Sequence, residues 1–156
     1  MHPTLQSHHS LRLDATGRSQ LAQEDIEIVR TLYAAFNRND RDGVIALLGN
    51  AMVAHVAEGM PWSGSYHGPE GFRRFLEILD EHVEFIIETD SLIDTGPVVA
   101  QVGRTVGQAR ATGIRYAFDE FHLWAVKDGK VVMFRNYSDI DEQRRVLFSD
   151  LADVQC

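Results

Sequence analysis

The 156-residue chain is 44% hydrophobic, enough for one domain to bury a sizeable core. Its 15 Lys and Arg stand against 23 Asp and Glu, a formal net charge of −8 with no basic run, which argues against a nucleic-acid partner. The lone Cys156 excludes an internal disulfide framework and a thiolate metal cluster, and no stretch nears the ~18 apolar residues of a membrane span; the expectation is a cytoplasmic protein with no membrane partner.

Residues 1–18 mix His, Ser, Thr and Gly without period and are expected to form a flexible leader, with residues 19–156 as a single domain. Its His2, His8 and His9 read as part of a tail rather than as a metal site. From about Gln20 a helix is expected, because Val29, Leu32, Tyr33 and Phe36 recur at i, i+3, i+4 and i+7. Asp40 can cap a short second helix through Leu48, burying Val44, Leu47 and Leu48. A strand, AMVAHVA, and a Gly/Pro/Ser-rich loop lead to Pro69, which opens a third helix with Phe72, Phe75, Leu76 and Leu79 on one side.

The remainder reads as strands. VEFIIETD alternates Val83, Phe85 and Ile87 with Glu84 and Glu88; Thr95 to Pro97 turns the chain into a strand from about Val98 to Arg110; ATG turns it again. Two further strands fold about Asp128-Gly129, and Asp139 with Glu142 forms a capping box for a closing helix. Helices early and antiparallel strands late point to α+β, with helices packed on one face of a curved sheet.

With a type I′ turn at Asp128-Gly129, Lys127 pairs with Lys130, which sets Phe121 opposite Asn136 and His122 opposite Arg135. One face then carries Asp119, Phe121, Phe134, Asn136 and Ser138. The other carries Glu120, His122, Trp124, Arg135 and Tyr137, large amphipathic groups suited to meeting another protein surface. A bulge in the hairpin exchanges these assignments and turns Glu120 and His122 inward as a His/carboxylate pair of dehydratase type.

The segments LYAAFNRNDRDGVIALL (32–48), VAHV (53–56), YHGPEGFRRF (66–75) and FHLWAVKDGKVVMFRNYSD (121–139) resemble the nuclear transport factor 2-like superfamily and, within it, the SnoaL-like and ketosteroid isomerase-like small proteins. The resemblance implies a cone of curved, mostly antiparallel sheet around helices, a deep apolar pocket, and homodimers through the outer sheet face, here the face with His122, Trp124, Arg135 and Tyr137. Carried over by residue, the ketosteroid isomerase oxyanion pair, a Tyr and a protonated Asp, falls on Leu32 and Phe121, and its base on Val56 or His55. The base of limonene-epoxide hydrolase falls on Asn136, with its supporting Arg and Asp near Gly103 and Thr105. Neither residue set is preserved.

The candidate catalytic residues are therefore His55, Asp119 and Asn136. For His55 the alternative is a rim histidine with one hydrogen bond, for Asp119 a solvated carboxylate at a strand end, and for Asn136 a backbone-bonded amide. Candidate ligand contacts are Tyr33, Trp62, Phe121, Phe134 and Ser138, with Trp62 placed in a loop as a lid. No metal ligand set or Gly-rich phosphate loop is present, and no cofactor is expected. Two functions fit: cofactor-free isomerisation, cyclisation or dehydration of a small apolar carbonyl or polyketide-like ligand, or a non-catalytic ligand-binding or dimeric accessory protein.

Overall fold

The computed structural model describes the backbone of residues 2–155 and the side chains of residues 20–148. In chain order it comprises α1 (His2–Asn37), α2 (Arg41–Ile45), β1 (Leu48–Val56), β2 (Gly64–His67), α3 (Gly68–His82), β3 (Val83–Asp94), β4 (Val99–Ala109), β5 (Arg115–Lys127), β6 (Lys130–Ser138) and α4 (Ile140–Gln155). Thus α1 begins ahead of Gln20. The leader expected over residues 1–18 lies, in its side chains, outside the described residues.

The six strands make one curved, unclosed sheet in the order β2-β1-β6-β5-β4-β3. All neighbours are antiparallel except β1 and β6, which run parallel. The expected α+β cone is thereby the observed architecture. Helix α1 buries Val29, Leu32, Tyr33 and Phe36 and α3 buries Phe72, Phe75, Leu76 and Leu79, both stripes joining the same core as the sheet's inner face. After Asn37 the chain passes through Asn39 in the left-handed region (φ 62), and the Asp40 carboxylate accepts from the Gly43 N–H at 2.9 Å to start α2. The Asn37 amide donates to the Ile87 carbonyl at 2.8 Å and accepts from its N–H at 2.9 Å, tying the end of α1 to the edge strand β3.

Two segments differ from the sequence reading. Leu48 is buried as the first residue of β1 rather than in α2. The loop before α3 contains β2, four residues that pair Ala54 with Tyr66 along the edge of β1; so short a strand carries no alternation to read.

The larger correction concerns the hairpin. Asp128 (φ 52) and Gly129 (φ 77) form the expected turn, and Lys127 pairs with Lys130. One step on, the register shifts: Val126 faces Val131 but Ala125 faces Met133, so Val132 is an extra residue on β6. His122 therefore opposes Asn136, Phe121 opposes Tyr137, and Glu120 opposes Ser138. The assignments from Phe134 to Ser138 in β6 stand, while the β5 side chains from Asp119 to Trp124 change face. The cause lies upstream. Along β5 the positions Tyr116, Phe118, Glu120, His122 and Trp124 are buried together, and putting three aromatic rings inside outweighs the Phe121 and Leu123 that the unbulged register would bury.

Candidate active site

Residues from eight elements and the β1–β2 loop enclose a cavity of about 80 Å³ between the sheet and the helices. Its walls are Phe36, Phe72, Phe75, Phe118 and Phe134 with Leu and Ile neighbours, and α4 contributes Ile140, Gln143 and Leu147 at a spacing that keeps them on one helix face. Trp62 reaches the cavity from the loop before β2 and meets the His82 ring edge-on at 6.0 Å. The polar lining comprises Tyr33, His122, Asn136, Ser138, Thr105 and Gln143.

At the centre of that polar end is His122, 3% exposed. Its Nδ1 lies 2.6 Å from the Tyr33 hydroxyl, which in turn accepts the Trp124 indole N–H at 2.8 Å. Because the Trp124 proton already occupies the phenol oxygen, the phenol hydrogen is free to point at Nδ1, and the neutral imidazole then carries its proton on Nε2. That nitrogen faces the Asn136 amide at 3.0 Å and the Glu120 carboxylate, whose Oε2 is 2.8 Å away but oblique, making no well-directed hydrogen bond. The amide can present its oxygen to this N–H by a half-turn about its last bond. Ser138 Oγ donates to Asn136 Oδ1 at 3.4 Å.

Glu120, itself 6% exposed, is held by Gln101 Nε2 at 3.1 Å from Oε1. Burial pushes the Tyr33 phenol well above its ordinary range; the Glu120 charge adds to this and the Trp124 hydrogen bond opposes it. Tyr33 therefore stays a neutral phenol at physiological pH. Rings pin the imidazole on its other sides, Phe134 at 5.0 Å and Tyr33 stacked at 6.0 Å between centroids.

The family of SnoaL-like domains matches residues 29–134 of this chain. The chain belongs to that family. Solved structures of similar fold include a protein of Burkholderia pseudomallei K96243 described as NTF2-like and of unknown function, 26% identical with a TM-score of 0.75, covering 80% of this chain and 98% of that one. An NTF2-like protein of Burkholderia thailandensis E264 is 29% identical with a TM-score of 0.73 over 78% and 95% of the two chains. TerC, co-crystallized with polyporic acid, shares the fold at 21% identity, with a TM-score of 0.74 over 80% and 98%. No curated protein matches the chain in sequence.

In this SnoaL-like domain the candidates Tyr33, Trp62, Phe134, Asn136 and Ser138 all line the cavity. Three other candidates do not. His55 projects from the opposite face of β1, exposed, and meets only Ser65 Oγ at 2.8 Å. Asp119 and Phe121 point outward because of the bulge, Phe121 being 42% exposed. By the same shift His122 and Trp124 leave the face assigned to a dimer partner and are buried, while Arg135 and Tyr137 remain on it. Leu32 lines the cavity and Phe121 faces outward, while Tyr33, His122 and Glu120 form its polar end. Gln101 and Thr89 went unread, although a Gln in the middle of a strand otherwise bound for the core is a signal. Among the described residues no three His, Cys, Asp or Glu side chains gather as a metal site requires, and no helix is long and apolar enough to cross a membrane.

Proposed function

We propose that this SnoaL-like domain catalyses proton transfer within a small, largely apolar carbonyl or hydroxy compound, as in isomerisation, cyclisation or dehydration. The observation that carries this is the buried line Tyr33–His122–Glu120 opening on an aromatic cavity. The Tyr33 hydroxyl takes a proton from the substrate as it passes its own to His122 Nδ1, so that no free phenolate forms. The imidazolium that results, protonated on both nitrogens, is stabilised by the Glu120 carboxylate beside Nε2. Tyr33 then delivers a proton, free to exchange with solvent, to a different atom of the substrate. Asn136 and Ser138 supply polar contacts for a substrate oxygen. The cavity's ~80 Å³ is about half of the ~150 Å³ that admits benzene, so a ringed ligand displaces Trp62 or α4 as it enters. Support for an organic guest comes from the TerC neighbour co-crystallized with polyporic acid.

The test is exchange of α-hydrogens of 1-indanone and 2-tetralone with D2O, followed by NMR, with the His122 imidazole resonances observed in the same samples. Wild-type protein is expected to accelerate exchange at least tenfold over buffer and H122Q to abolish the acceleration. Ligand-induced changes at His122 without exchange would replace this reading with the non-catalytic carrier, and no change at His122 with either ketone would remove the pocket as a site for them.

A second reading concerns assembly. Phe121 and Tyr137 stack at 4.7 Å on the outer face, 42% and 39% exposed, beside Val102 at 41%. Asp119 and Arg135 flank them with opposite charges, so a two-fold copy of the same face offers complementary groups. We infer that a homodimer forms there.

A further inference from the structure

We propose that Gln101 is a positioning residue of the His122 site, holding the Glu120 carboxylate beside the imidazole; only the rate consequence of this rests on the catalytic reading above. Gln101 has no exposed surface, sits in β4 directly opposite His122 in β5, and donates its amide to Glu120 Oε1 at 3.1 Å and to Thr89 Oγ1 at 3.2 Å. Its own oxygen has no partner. A buried amide that leaves an acceptor unpaired destabilises a core that a Leu would fill better, so its presence calls for a reason other than packing.

Two adjacent local features make the arrangement possible. Gly103 is the strand partner of Glu120, and a Cβ there would meet first the Glu88 carbonyl oxygen of β3 and then, at 2.6 Å, Gln101 Nε2, so the glycine admits both the close approach of β3 and the amide's reach to the carboxylate. In β3 the register shifts between Thr89 and Ser91, where the Thr89 hydroxyl meets that amide. Bulge, glycine and buried Gln converge on one oxygen of Glu120. With Oε1 tied, Oε2 is left 2.8 Å from His122 Nε2. The donor's neutrality matters: an Arg in its place would compete for the carboxylate's charge, whereas an amide orients the group and leaves that charge for the imidazolium.

The test uses Q101M, which keeps the length and removes the donor, and T89V, which releases the amide's second anchor at an exposed position. Two readouts are taken: the proton resonance of His122 Nε2 without any substrate, compared with that of E120Q, and kcat and KM for ketone α-hydrogen exchange. In Q101M the Nε2 proton resonance is expected to move toward its position in E120Q, with kcat falling about tenfold at unchanged KM, the loss one ordinary hydrogen bond gives. T89V is expected to move the same resonance less in the same direction, and it decides the matter if Q101M does not fold. A resonance unmoved in the folded variants overturns the proposal whatever the rate does. Should the resonance move while wild-type protein exchanges no ketone, the positioning role stands and the catalytic reading falls.

Discussion

Replacing Tyr33 by Phe removes one oxygen and tests the buried polar line directly. The ring remains, so its contacts with Trp124 and His122 survive, but Trp124 Nε1 and His122 Nδ1, now 2.8 and 2.6 Å from the hydroxyl, both lose their partner. Each orphaned buried group costs about 1–3 kcal/mol, partly offset because the phenol oxygen no longer has to be desolvated, giving a net loss of about 2–4 kcal/mol. For a domain of this size that is a fall in Tm of roughly 5–15 °C. Urea unfolding followed by circular dichroism and by the fluorescence of Trp62 and Trp124 measures it, with Y137F as the control, since that ring lies on the surface against Phe121. Y137F is expected within about 0.5 kcal/mol of wild type. A Y33F protein equally close to wild type would refute the reasoning, because it would mean that the two nitrogens do not depend on this hydroxyl.

F134A opens a cavity where Phe72, Phe75, Trp124 and His122 converge and is expected to destabilise by about 3–5 kcal/mol in the same urea assay; less than ~1 kcal/mol would contradict the packing. H55A, on the exposed face of β1, should leave stability within about 0.5 kcal/mol and ketone exchange unaltered, and a loss of exchange would return His55 to the site. Tyr33, Tyr66 and Tyr116 are all pushed up chiefly by burial, so the folded state holds their protons more tightly than the unfolded one. That stabilisation is whole below the free-phenol value of ~10 and drains as pH rises beyond it, so phenolate absorbance from the two buried phenols, Tyr33 and Tyr116, should appear together with loss of far-UV dichroism; ionisation of both in a protein with intact dichroism would contradict it. F121D puts a charge at the centre of the outer apolar patch and is expected to convert a dimer to monomer in sedimentation velocity; a wild-type protein that is already monomeric rules out the interface.

The helices were legible wherever one stripe of side chains had to be buried: Val29, Leu32, Tyr33 and Phe36 in α1, and Phe72, Phe75, Leu76 and Leu79 in α3, follow from a 3.6-residue period alone. The turn at Asp128-Gly129 and the cap at Asp40 are local chemistry and could be read as such. Which side of β5 faces inward was not local. A single extra residue, Val132, changes the face of every β5 position that pairs beyond it, and two strands with plausible apolar residues on both sides do not reveal it until the rest of the core is present. Tyr116 and Phe118, two turns of the alternation before the hairpin's polar end, held the signal, because one continuous strand must keep them on the same face as His122. The site itself was beyond the sequence for a plainer reason. Tyr33 and His122 are 89 residues apart, and Gln101 and Glu120 are 19 apart, so their hydrogen bonds exist only once α1, β4 and β5 have been brought together by burial of everything around them. Sequence periodicity determined the helices and most of the strands, and the family resemblance implied the sheltered apolar space; tertiary packing decided which polar groups were left inside it.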